Sequence, residues 1–273
     1  FDARLSGDED MSCSTCHSPE HAFTDARVTG LGNGKFLSRN TQSILNRAFG
    51  STQFWDGRSE SLEAQTLVPI SNPDEMNLPL DQALTRLAAI PGYVEQFQTV
   101  FGRAPDAEGL EHALAAFQRS LLSGNSAVDR YESGDVSAMT PAEIRGRDLF
   151  LGKGRCLGCH SGSNYRDEDF HNNGAACVGD EGLAAISSYV RDLGLFKTPT
   201  LRDVAKTAPY MHDGSLATLE DVVAVYNRGG DHRNNIDAEI FPLGLTTTEQ
   251  ADLVAFLKAL DGAPVVVEAP VLP

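Results

Sequence analysis

The sequence predicts a mostly α chain built as two domains, and three observations lead there. The pentapeptide Cys13-Ser14-Thr15-Cys16-His17 returns in the second half as Cys156-Leu157-Gly158-Cys159-His160. Apolar residues recur at three- and four-residue spacing in several separate stretches, as on amphipathic helices. Strand signals are scarce, and 273 residues exceed one ordinary domain. The polar stretch between Gly124 and Gly134 divides the chain into an N-terminal domain over 1–135 and a C-terminal domain over 136–273.

In Cys-x-x-Cys-His the two thiols are spaced to form thioethers with the two vinyl groups of a haem, and the adjacent histidine is brought beneath the iron. The motifs therefore predict two c-type haems, one on Cys13, Cys16 and His17 and one on Cys156, Cys159 and His160. Four cysteines in two pairs would also suit a tetrahedral zinc site or disulfides. A zinc ribbon has no need of a histidine directly after each pair. Cys177 is left over and reads as a small buried apolar thiol.

An apolar share of 41% supports real cores, while an aromatic share of only 7% makes the single tryptophan, Trp55, stand out. No apolar run is long enough to span a bilayer. The net charge of −16 excludes nucleic acid as a partner and mildly favours a basic protein, although a solvated acidic surface is the simpler reading. The chain begins at Phe1, as a mature or trimmed product would, and haem attachment to this motif follows export, so the periplasm is the expected compartment.

Taken in order, residues 1–12 form a polar lead-in, and the glycine-rich stretch Ser18–Phe36 reads as loop, with His21 on its surface. Ser59 is the expected cap of a helix running through Pro69. Leu80, Leu84 and Leu87 mark a second helix closed by Pro91. Tyr93, Phe97, Val100 and Phe101 mark a third, and Leu110, Leu114, Phe117 and Leu121 the longest. Thr140-Pro141-Ala142-Glu143 is a capping box that opens the helix before the second motif, the order found in cytochrome c folds. Leu219, Val222, Val223 and Tyr226 form one face of a helix starting at Thr218, which turns Tyr226 inward. Thr246 and Glu249 cap the last helix, Gly262 ends it, and an extended tail follows. The expected fold is thus mostly α: two cytochrome c-like domains, each binding one c-type haem, with long loops.

Three further runs, Arg39-Asn40-Thr41, Gln53-Phe54-Trp55-Asp56-Gly57-Arg58 and Tyr210-Met211-His212-Asp213-Gly214, appear in this order around the motifs. Together they resemble the bacterial dihaem cytochrome c peroxidase and MauG superfamily over nearly the whole chain. The resemblance implies a peroxide-reactive haem on His17 and an electron-storing or relaying haem on His160. It implies a relay role for Trp55 between the haems, a distal carboxylate at Glu75, and distal-pocket positions at Gln65 and Pro69. A carboxyl beside a bound peroxide can carry a proton from one oxygen to the other, which heterolytic O–O cleavage requires. Asn40 and the carbonyls of Thr207 and Pro209 match an inter-haem calcium site, whose all-oxygen ligation suits that ion. His212 matches a family motif position that can be purely structural.

Two departures refine the reading. Where the ordinary peroxidases carry a second histidine over the N-terminal haem, Leu31-Gly32-Asn33-Gly34 has none, so this haem is expected to be open. Where they carry a methionine ligand on the C-terminal haem, the aligned residue is Tyr226, as in the MauG-like branch that includes the MbnH type; Met211 is the rival ligand. A phenolate stabilises oxidised iron more than a thioether does. The expected function is a periplasmic enzyme that uses hydrogen peroxide to form a high-valent dihaem state and oxidises a partner protein, with tryptophan or tyrosine as the residue attacked. The alternative is a peroxidase reducing hydrogen peroxide to water with electrons from a small cytochrome or cupredoxin. A non-enzymatic electron-transfer cytochrome fits least, since an electron carrier gains nothing from a vacant coordination position.

Overall fold

Helices carry both halves of the chain, and two small two-stranded antiparallel sheets hold the only strands among the described residues. The computed structural model describes residues 1–175, 179–232 and 234–273; Cys177 lies outside them. The first half contains α1 (Cys13–Cys16), the hairpin of β1 (Leu31–Gly32) and β2 (Lys35–Phe36), then α2 (Leu62–Thr66), α3 (Val68–Ser71), α4 (Leu80–Ala88), α5 (Pro91–Phe101) and α6 (Ala107–Ser120). The second contains α7 (Ala127–Glu132), α8 (Pro141–Leu151), β3 (Phe170–His171), α9 (Ala184–Ser187), β4 (Phe196–Lys197), α10 (Leu219–Arg228) and α11 (Thr247–Ala259), with β3 pairing β4.

The helical spacings translate into two main cores. Leu5, Ile70, Leu78, Ala83, Leu87, Phe97 and Leu110 are buried together in the first half. Val128, Phe150, Val204, Leu219, Val223, Leu253, Phe256 and Leu260 form the second. Each such side chain contributes roughly 1.5–3 kcal/mol when fully buried. Val128 belongs to the second core, so α7 joins the C-terminal half although it precedes residue 136. The principal contact of that half is α8 on α11. Gly146 makes it possible: a Cβ there would lie 2.0 Å from the Asp252 carbonyl oxygen. Arg145 closes the contact with a two-pronged bond to the Asp252 carboxylate, 2.7 Å on each arm.

The capping boxes at Thr140/Glu143, Thr218/Asp221 and Thr246/Glu249 are all formed. Other boundaries differ from expectation. Ser61, not Ser59, caps α2, taking the Ala64 N–H at 3.0 Å, while Ser59 is buried and its carbonyl accepts from Gln53 N at 2.8 Å. The helix expected through Pro69 is two short pieces meeting at Leu67, and α3 carries the proline in its first turn, where its missing N–H costs nothing. For the same reason Pro91 opens α5 rather than merely closing α4. Val100 and Phe117 are exposed, whereas Val225, outside the expected stripe, is buried. Gly262 follows the end of α11, and its bareness serves a crossing instead: a Cβ would lie 2.5 Å from Ser123 Oγ and 2.7 Å from the Gly124 carbonyl oxygen.

The tail does not stay with the second half. Val265 and Val267 pack on a third cluster, Ala22, Phe23, Leu45 and Leu121, while Val266 between them is exposed, the alternation of an extended strap. The strap reaches Arg4, whose Nη1 donates to the Pro273 carbonyl at 3.0 Å.

Candidate functional site

Both motif histidines are set by one local device. His17 Nδ1–H donates to the Phe23 carbonyl at 3.0 Å, and His160 Nδ1–H donates to the Tyr165 carbonyl at 2.9 Å. Since a carbonyl can only accept, each bond fixes the tautomer and leaves Nε2 as the lone-pair nitrogen. Burial lowers both histidine pKa values and keeps the rings neutral. These are the properties of an axial ligand. The four motif cysteines are free thiols, so no disulfide consumes them. Among the described residues they do not gather into a thiolate cluster; the one group of three ligand-type side chains is Cys159, Asp167 and His171. His171 is itself held between Asp237 at 2.6 Å and Asp167 at 2.9 Å. Free paired thiols beside a neutral, pre-oriented imidazole fit covalent haem and do not fit structural zinc.

Around the first motif, α1 carries Cys13 and Cys16 on a single turn, and burial pushes the Cys16 thiol up to about 11, with Asp25 and Glu75 adding to the effect. Cys16 Sγ lies 3.7 Å from the Leu31 carbonyl of β1. The next residue, Gly32, presses on the Glu75 loop so closely that a Cβ would lie 2.4 Å from the Asp74 carbonyl oxygen and 2.7 Å from Glu75 Cα. The histidine-free turn is thus packed on the segment bearing Glu75. That segment hangs from α3, with Met76 N bonded to the Pro69 carbonyl at 3.1 Å and Leu78 N to that of Ile70 at 2.8 Å. The Glu75 carboxyl accepts from Asn72 Nδ2 at 3.1 Å, and burial raises its pKa. Gln65 faces α6, where its Oε1 accepts from Gln118 Nε2 at 3.4 Å. Pro69 therefore supports the loop, while no described contact joins Gln65 to Glu75.

The second motif opens onto a cavity of about 240 Å³. Cys156, Cys159, His160, Tyr226 and Met211 all line it, and so do Trp55, Asn40, Thr207 and Pro209. Burial pushes the Tyr226 phenol up to about 12 and the Cys156 thiol likewise to about 12. Tyr226 Oη accepts from Asn173 Nδ2 at 3.0 Å, and the same nitrogen is 3.4 Å from Met211 Sδ. Trp55 is tied at both ends: its Nε1–H donates to the Asn40 carbonyl at 2.9 Å, and its own carbonyl accepts from Lys197 N at 2.8 Å. Asn40 Nδ2 donates to the Arg27 and Val28 carbonyls, so its side-chain oxygen is the group left over. The His212 ring stacks on Phe196 at 3.5 Å and meets Trp55 edge-on, and its carbonyl accepts from Asn40 N at 2.7 Å. Arg39 links the surrounding loops, bridging Asp56 at 2.6 Å and Asp180 at 2.7 and 2.8 Å.

Sequence reasoning missed Asn173, Arg47 and Lys197. A lysine such as Lys197 reads as a surface residue until tertiary packing covers it.

The family described as di-haem cytochrome c peroxidase matches residues 1–137. The methylamine utilization protein MauG of Methylorubrum extorquens is 42% identical over 279 residues, covering 100% of this chain and 79% of that protein. The cytochrome c551 peroxidase of Nitrosomonas europaea is 33% identical over 281 residues, covering 100% of this chain and 80% of its own length. A crystal structure of a MauG-like protein associated with microbial copper homeostasis superposes with a TM-score of 0.89 at 34% identity, over 96% of this chain and 87% of that one. With these likenesses and a Cys-x-x-Cys-His motif in each half of the chain, the conclusion is that it belongs to the di-haem cytochrome c peroxidase and MauG family, oxidoreductases that carry two c-type haems and act on hydrogen peroxide.

Proposed function

We propose that this chain is a MauG-like oxidase of a partner protein in the periplasm rather than a peroxidase that drains electrons from a small cytochrome. The observation that carries the reading is Tyr226, which lines the same cavity as His160 and has an oxygen already held by Asn173. When bound, the two haems supply the capacity to take two oxidising equivalents from one peroxide. The remaining work falls to side chains. Glu75, as the base beside the His17 site, takes a proton from one peroxide oxygen and returns it to the other; with two electrons and two protons in all, peroxide leaves as two waters. Its burial and its bond from Asn72 support that role, with Pro69 holding its loop. The family resemblance puts Gln65 in the same distal pocket, where its side chain is held by Gln118. Trp55, clamped between Asn40 and Lys197 N, keeps a fixed indole on the cavity wall, as a relay requires. Asn40 Oδ1 with the carbonyls of Thr207 and Pro209 offers hard oxygen donors to a calcium ion, and all three residues line one cavity.

The discriminating experiment uses oxidised protein that has never been reduced. One equivalent of hydrogen peroxide without any donor should be consumed and leave two oxidising equivalents recoverable by titration with ferrocyanide. Rapid steady turnover with a reduced small cytochrome, combined with no reaction before reduction, would assign the chain to the peroxidases instead.

A further inference from the structure

Two buried cations face the cavity without an anion. Arg47, 8% exposed, and Lys197, 1% exposed, both line the space beside Cys156, Cys159 and His160. Arg47 spends its Nε on Gln53 Oε1 at 2.9 Å and an Nη on the Thr52 carbonyl at 2.5 Å, both neutral acceptors. Lys197 Nζ has no hydrogen bond or ion pair with any described residue. Other charged groups on the cavity wall are matched: Arg155 with Glu239, Arg202 with Asp129, and His171 with Asp167 and Asp237.

The local charge count sharpens the anomaly. Arg166 is also buried and is paired with Glu168, the only carboxylate that acts on Lys197. Three cations therefore share one anion, which leaves two positive charges in a desolvated place. Gln53 Nε2 adds a buried donor with no partner. An unpaired buried ammonium is strongly unfavourable, and burial with the nearby Arg47 pushes Lys197 down to about 7. A site with two surplus charges and surplus donors, opening on a haem cavity, is complementary to a pair of carboxylates.

We propose that Arg47 and Lys197, one from each half of the chain, form a buried carboxylate site, and that its occupants are the two propionate groups of the haem attached at Cys156 and Cys159. Haem carries two carboxylates on one edge, and these equal the surplus charge. The charge-assisted bonds would also tie the halves together through the cofactor, beside the bond from Lys197 N to the Trp55 carbonyl.

The test is a redox titration of the holoprotein, with two haems per chain verified by pyridine haemochrome. In wild type the potential of the His160 haem is level through the neutral pH range, because a paired propionate stays ionised. Lys197→Met lowers that potential, since an uncompensated carboxylate favours ferric iron, and makes it fall with rising pH, because the freed propionate now titrates in the neutral range. A fall without the pH slope would mean a cation acting at a distance and would overturn the contact, as would an unchanged potential. Should Lys197→Met fail to mature, Arg47→Gln, which keeps an amide beside Gln53, must give the same fall and slope; unchanged behaviour there overturns the proposal. Acetate added to wild type at constant ionic strength leaves the potential unmoved. An acetate-dependent shift would assign the site to a free carboxylate and sink the propionate.

Discussion

Single atoms decide the chemistry at both sites. Tyr226 Oη and Met211 Sδ share one donor, Asn173 Nδ2, and both line the cavity of His160, so these are the two side chains that would compete to ligate a haem iron held there. Replacing Tyr226 by methionine should raise the potential of that haem, on the order of 0.1 V or more given that axial ligands move haem potentials over about 0.8 V. Unchanged potentials in that variant would show that another residue, Met211 first among them, is the ligand. Glu75 gives a pH prediction. Burial holds its carboxyl protonated to higher pH than an ordinary glutamate, so the basic form is lost as pH falls through a raised pKa. The peroxide step should therefore show an acid limb displaced upward. Glu75→Gln should abolish that limb and slow the step by about 10²-fold or more, read by stopped flow with both haems still attached. The motif cysteines and histidines were legible in the sequence because their chemistry is local. Glu75 and Trp55 were legible only through a family pattern, since alone each reads as an ordinary loop or core residue. Arg47 and Lys197 were not legible at all, because what defines them is a missing partner.

At the scale of elements, caps and stripes read well and contacts between loops did not. Thr140, Thr218 and Thr246 announce their helices because the cap and its partner sit three residues apart. The β1–β2 hairpin escaped notice since Gly30, Gly32 and Gly34 signal loop by composition. Its function is steric. Gly32 lets the hairpin lie on the Asp74-Glu75 backbone, and Gly32→Ala should force the two apart, costing about 1–3 kcal/mol by overpacking. Because the displaced segment carries Glu75, the variant should bind both haems and yet react more slowly with peroxide. A variant with unaltered peroxide kinetics would show that the hairpin does not set the position of Glu75.

For the whole molecule, the two cores are joined by more than the segment between them. The strap of Val265 and Val267 crosses to the first half, and the loops of Arg39, Trp55 and Asp180 meet across the middle. Val265→Ala combined with Val267→Ala should lower stability by roughly 1–2 kcal/mol, since partly buried valines contribute less than fully buried ones. Calorimetry would read this as a fall in Tm of about 2–8 °C. An unchanged Tm would make the strap ornamental to folding. Nothing in the sequence foretold its course: in an extended, proline-flanked tail three consecutive valines, Val265, Val266 and Val267, carry no periodicity, and only packing distinguishes the middle one.

Part of the wall of the cavity shared by Cys156 and Cys159 comes from residues that follow them in the chain, among them Tyr210, Tyr226, Leu253 and Leu257. In chain order that part of the wall comes after the thiols it covers. Once α10 and α11 have closed, the Cys156 thiol is buried and pushed up to about 12, a state in which it reacts poorly. A haem attached before α10 and α11 close is therefore sealed in by their closing.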